Sequence, residues 1–150
     1  MSHKHGKIAE NYFSLLMHKQ GLEFKFVNDW YDYEIENRVK VELKSCQPSI
    51  LQYSKHKEAE LYRVGRFDFT DEDNREKLIK EDVWIALVVR FRKEAMFLGF
   101  IKGSSLNGNR YLSLHHVREK GIISLSDFIL MNNLKQERRN CHCCGNQYVL

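Results

Sequence analysis

A chain of 150 residues with 43% hydrophobic and 29% charged positions and a single proline has the make-up of one ordered domain, not of a disordered tail. No apolar run approaches the roughly 20 residues of a membrane-crossing helix. The opening MSHKHGKIAEN lacks the apolar core of a signal peptide, so the expectation is an intracellular, cytoplasmic protein with no membrane partner; a net charge of +4 neither demands nor opposes a polyanionic one.

Ile8, Ala9, Tyr12, Phe13, Leu15, Leu16 and Met17 recur near helical spacing, which predicts a helix from about Lys7 to Gln20 stopped by Gly21. Glu10 shares a stripe with Phe13 and Met17, at the edge of the buried face. A solvated acid near the helix start is its other reading. Leu22 to Val27 alternates and predicts a half-buried strand, with Asn28-Asp29 as a turn.

The stretch from Trp30 to Cys46 predicts two extended runs joined by a tight turn at Glu36-Asn37. Successive side chains of a strand point to opposite faces, so Glu42 and Lys44 share one face and Val41 and Leu43 the other. A carboxylate and an ammonium then lie side by side. If Asp32 stands opposite, two carboxylates and a lysine converge at one end of a sheet, a grouping suited to holding a divalent metal and a water beside a phosphodiester. The plainer reading of Glu42 and Lys44 is a solvated ion pair on an amphipathic strand.

Gln47-Pro48-Ser49 breaks the strand, and Ile50 to Val64 reads as a short helix carrying Gln52, Lys55, His56, Lys57 and Arg63. Gly65 to Thr70 predicts a short strand, and Asp71 to Glu81 a helical turn or two around Arg75, Glu76 and Leu78, with its charges mostly solvated. The continuous apolar run Val83 to Val89 predicts a central strand covered on both faces, Ala95 to Ile101 a second strand, Gly103 to Asn109 a turn and Tyr111 to Leu114 an edge strand. Ser124 with Asp127 resembles a capping box opening a last helix to about Glu137, built on Phe128, Ile129, Leu130, Met131 and Leu134. Apolar side chains are nearly continuous from Leu125 to Leu134, more than one buried stripe requires, which predicts a homodimer through this helix.

Cys46 stands alone, while Cys141, Cys143 and Cys144 crowd the C-terminus, which is not a disulfide framework. Cys141 to Gly145 has the C-x-x-C-G shape of one zinc knuckle. A structural zinc takes four ligands, so the remainder must come from His142, from His115 or His116, from Cys46, or from a second subunit; a tail of free thiols is the alternative. The expected organisation is an α/β domain over residues 1–138, a mixed central sheet flanked by helices, followed by a Cys-rich tail over 139–150.

The helix bearing Glu10 followed by a hairpin with Asp32 and Glu42-Leu43-Lys44 resembles the PD-(D/E)xK nuclease superfamily over roughly residues 6–55. Asp32 follows Tyr31 where the motif name has proline, and Asp29 and Glu34 remain alternatives to it. The resemblance implies a restriction-endonuclease-like core and a DNA endonuclease dependent on Mg²⁺ or Mn²⁺, acting for example on branched or repair intermediates and often as a dimer. Asp32, Glu42 and the Leu43 carbonyl would hold the metal and Lys44 would position the attacking water, with Glu10 and Gln52 as further site residues. An RNA-processing nuclease with the same core differs only in substrate. The rival from another class is a non-catalytic zinc-containing nucleic-acid-binding module, with the hairpin as scaffold.

Overall fold

The computed structural model describes residues 3–137, 139–140 and 147–148, with side chains over residues 6–137. The first helix, α1 (His3–Lys19), ends where Gly21 takes a φ of 69° and Leu22 N–H reaches back to the Met17 carbonyl at 3.1 Å. A Cβ at Gly21 would sit 2.4 Å from the Glu137 carbonyl oxygen, so both backbone conformation and space require glycine there.

β1 (Phe24–Phe26), β2 (Tyr33–Ile35) and β3 (Val39–Cys46) form an antiparallel meander. The turn lies at the expected Glu36-Asn37, both at positive φ (53° and 56°), with Arg38 N–H donating to the Ile35 carbonyl at 3.1 Å. β7 (Trp84–Arg90) then pairs parallel with β3, and β8 (Ala95–Lys102) antiparallel with β7. The result is a five-stranded mixed sheet ordered β1-β2-β3-β7-β8, with every residue of β7 buried, as a central strand covered on both faces must be.

Strand alternation divides the core in two. Tyr33, Ile35, Val39, Val41, Trp84, Ala86 and Phe100 pack against Phe13 and Met17 of α1 and against Phe128 and Ile129 of α3 (Leu125–Met131). The opposite face sets Ile85, Leu87, Val89 and Ile101 against Phe67, Phe69, Leu78 and Leu112. Phe100 centres the first cluster, stacked on Phe128 with ring centroids 3.8 Å apart and both rings fully buried. Phe100→Ala is expected to cost about 3–5 kcal/mol, read as a lower urea midpoint at unchanged slope; a cost below about 1 kcal/mol would mean the stack is not the centre of packing.

A parallel β3–β7 pair needs a crossover, and residues 47–83 supply it. The expected helix over 50–64 is instead a hairpin, β4 (Ser49–Ser54) with β5 (Ala59–Val64). Its residues are exposed or half-buried on both faces, so no buried stripe imposes a hydrophobic period. The base of the hairpin is pinned at Gly65, whose N–H donates to the Pro48 carbonyl at 2.8 Å and where a Cβ would overlap the Gln47 carbonyl oxygen at 1.7 Å. β6 (Arg66–Asp68) pairs with β9 (Tyr111–Ser113) in a separate two-stranded sheet, so Tyr111 to Leu114 does not edge the central one. α2 (Glu72–Lys80) is capped by Asp71, whose carboxylate accepts from Asn74 N–H at 3.1 Å.

α3 starts at Ser124 as expected, its hydroxyl accepting from Asp127 N–H at 3.1 Å, but it stops at Met131, short of Glu137. Asn133 turns to a φ of 51° and Leu134 N–H bonds to the Ile129 carbonyl, which closes the helix early. Beyond it, β10 (Arg139–Asn140) pairs with β11 (Gln147–Tyr148). Cys141, His142, Cys143 and Cys144 lie outside the described residues. No helix among the described residues is long and apolar enough to cross a membrane.

Candidate active site

β2 spans three residues and β3 eight, and Tyr33 opposite Val41 is the last pair of their ladder. The second half of β3 therefore has β7 on one side and no strand on the other. Asp32, one residue before β2, fills part of that gap, its Oδ2 accepting from Leu43 N–H at 2.7 Å in place of a ladder carbonyl. The N–H and C=O of one strand residue open to the same side, so the Leu43 carbonyl faces this gap too.

Glu42 and Lys44 lie opposite Ile85 and Leu87 of β7, on the face away from α1, as alternation requires. Glu42 is only 6% exposed. Burial first, and then a hydrogen bond to Asp32 and the charge of Asp32, push its carboxyl up to about 9; the Lys44 ammonium and the Asn74 amide act against that rise. The protonated form of Glu42 is therefore favoured well above the usual carboxylate range. Lys44 is half-buried, its Nζ 5.2 Å from the centre of the buried Phe69 ring, and it acts on Glu42 electrostatically.

The other sequence candidates are placed differently. Glu10 sits on α1, where its backbone carbonyl accepts from the Tyr33 hydroxyl at 3.2 Å, and no hydrogen bond joins its carboxylate to Asp32, Glu42 or Lys44 among the described residues. Its charge, like that of Asp32, raises the Tyr33 hydroxyl, which burial pushes up to about 12. Gln52 is exposed on the β4–β5 hairpin and accepts from Arg63 Nε at 2.9 Å, a bond within the hairpin. Glu34 is engaged by the Tyr31 hydroxyl (2.7 Å) and by Lys25 (3.6 Å), and Asp29 accepts from Trp30 N–H at 2.8 Å, so neither stands in for Asp32. Cys46 is buried among apolar side chains and its thiol is pushed up to about 12, an inert core group. His115 and His116 are exposed, with His116 Nδ1 3.4 Å from Glu119.

Among the described residues, no three or more His, Cys, Asp or Glu side chains converge as a metal cluster. A cation in this gap is therefore one held by two carboxylates, a carbonyl and water, which are all-oxygen ligands. That donor set suits Mg²⁺ or Mn²⁺ and not a structural zinc. The raised Glu42 carboxyl is the physical sign of fit: beside Asp32 and out of water it resists ionising, and a positive charge between the two would relieve that. A scan against protein-family models finds no match, and no curated protein or solved structure matches the chain.

Asn74 is the site residue that the sequence reading passes over. Its Nδ2 donates to the Trp30 carbonyl at 2.7 Å and its amide also reaches Glu42, so the start of α2 ties the loop before Asp32 to β3. The available signal was Asp71 as a helix cap three residues earlier, which fixes the first turn of α2. Its arrival over Glu42 depends on the crossover.

Proposed function

We propose that this protein is a metal-dependent endonuclease that hydrolyses phosphodiester bonds in DNA, with a restriction-endonuclease-like core. The observation that carries the reading is the Asp32 carboxylate seated on the Leu43 amide at an open strand edge, beside buried Glu42, with Lys44 on the same face as Glu42. Asp32, Glu42 and the Leu43 carbonyl would hold Mg²⁺ or Mn²⁺, which when bound supplies positive charge for the phosphate oxygens and acidifies a neighbouring water.

The chain's own groups do the rest. Lys44 is a compact cation that sits beside the carboxylates without competing as a ligand; it orients the attacking water and donates to the phosphate oxygen on which charge develops. Phe69 beneath its stem limits the ammonium to that region. Asn74 holds Glu42, and the Leu43 amide holds Asp32, so the carboxyls keep their positions when the proton leaves. The test is cleavage of a panel of linear, nicked, flapped and four-way DNA, and of RNA, with Mg²⁺ and with Mn²⁺. Metal-dependent cutting of DNA supports the reading, and no cleavage of any member under either metal rejects it.

Cutting both strands of a duplex needs two sites, and the exposed Leu130 (77%) and Met131 (64%) at the end of α3 offer an apolar surface for a two-fold contact. The expected result is a dimer by sedimentation, tested with and without a chelator. A monomer under both conditions rejects the dimer; a dimer indifferent to the chelator keeps the interface and discards a zinc shared between the terminal cysteines.

A further inference from the structure

Only two charged side chains are buried among the described residues, Glu42 and Arg90. Glu42 sheds its charge by keeping its proton. Arginine has no such exit, because its guanidinium stays protonated in proteins. Arg90, the last residue of β7, is 9% exposed, and no carboxylate among the described residues lies within 4.0 Å of it. Among the described residues its one hydrogen bond is from Nε to the Ser45 hydroxyl at 2.9 Å, which fixes the plane of the guanidinium and leaves its two terminal nitrogens without a protein acceptor there. Those terminal nitrogens are not among the buried polar atoms that lack a partner, so they open to solvent in a fixed orientation, available to an anion.

Arg90 lines a cavity of about 500 Å³ with Arg92, Gln47, Ser49 and Ile8. Pro48 and Phe91 complete the lining, which includes two arginines and no acidic residue. The position is at the carboxyl ends of β3 and β7, the parallel pair of the sheet, where ligands of open α/β sheets gather. Ser45, which orients Arg90, directly follows Lys44 on the same strand, so its side chain takes the opposite, α1 face.

We infer that the cavity beneath Arg90 and Arg92 is a phosphate-binding site. The planar fork of arginine donates two parallel bonds to a tetrahedral oxyanion, and a second guanidinium matches its remaining charge. Resting on the reading of the molecule as a nuclease, the ligand is a backbone phosphate of the bound strand at the end of the sheet on its α1 face, at a distance from the phosphodiester that Glu42 and Lys44 meet on the other face. The site holds the strand at the end of the sheet while the carboxyl pair works from its open edge.

The experiment uses the full chain and its Arg90→Gln and Arg92→Gln variants, the second being at an exposed position where folding is undisturbed. Inorganic phosphate at millimolar concentration is expected to raise the thermal midpoint of the parent, and neither variant should respond. Oligonucleotide affinity, measured with Ca²⁺ in place of Mg²⁺, should fall about tenfold in each variant, and the slope of log affinity against log salt should drop by about one per arginine removed. A phosphate effect on the parent without any change in oligonucleotide binding keeps the anion site and assigns it to a free phosphate compound, overturning the backbone role. Loss of oligonucleotide binding in the variants of a parent that cleaves nothing keeps the pocket while the nuclease reading fails. No thermal response to phosphate, with oligonucleotide affinity and salt slope equal to the parent in both variants, overturns the inference.

Discussion

Glu42→Gln and Lys44→Ala are each expected to lower cleavage at least about a hundredfold without unfolding the protein, and to differ in what they do to the metal. Removing one group that stabilises developing charge costs about 10²–10³ in rate, and loss of a metal ligand removes the metal's contribution as well. Glutamine is the informative replacement at 42, because the site is buried and alanine would add a packing loss to the loss of charge. Glutamine keeps the volume and the contacts with Asn74 and Asp32 but cannot become an anion. Calorimetric Mn²⁺ binding should therefore disappear in Glu42→Gln and persist in Lys44→Ala, which touches the reaction and not the ion. Equal loss of Mn²⁺ from both variants, or parental activity in either, contradicts the assigned roles.

Metal binding at this site should be a proton exchange, and so should strengthen steeply with pH. In the metal-free protein the Glu42 carboxyl is raised from an ordinary 4.5 to about 9, by burial above all and then by Asp32. Below pH 4.5 the folded and unfolded states both hold the proton and the group contributes nothing. Between 4.5 and 9 the unfolded chain releases it while the folded chain keeps it, so the stability of the metal-free protein falls as pH rises through that window. A divalent cation reverses the preference, because it binds the ionised form. Affinity for Mn²⁺ should then rise by about tenfold per pH unit over the neutral range, with close to one proton released per ion. The measurement is titration calorimetry in buffers of different ionisation enthalpy. The same heat in every buffer would mean that Glu42 is already ionised, and Glu42→Gln should remove its share of the fall in metal-free stability between pH 4.5 and 9.

The parts of this site that could be read from the sequence are those decided by neighbours along the chain. The Glu36-Asn37 turn, the shared face of Glu42 and Lys44 and the Ser124 cap all follow from local rules of backbone conformation and alternation, and the structure has them. What depends on non-local packing was not legible. Asn74 meets Glu42 because a crossover brings α2 over β3, and nothing in the order of residues 71–81 marks that side of the helix. The β4–β5 hairpin was misread as a helix because hydrophobic periodicity reports a buried face, and neither face of that hairpin is buried. Gln52 moved with it, from a supposed neighbour of Lys44 to a partner of Arg63. Arg90 is the reverse case: at the end of a wholly apolar strand it looks like a residue leaving the core, and its burial appears only once α1 and the start of β4 close over the strand ends.

The unequal lengths of β2 and β3 have a consequence for how this protein can change. Asp32 stands off the ladder, and the backbone groups of Glu42 and Lys44 on the β7 side pair whatever their side chains are. Substitutions among these residues alter reactivity while the strand pairing that holds the sheet persists. On the nuclease reading, a chain altered there would lose its chemistry and remain a well-folded domain, silent yet intact.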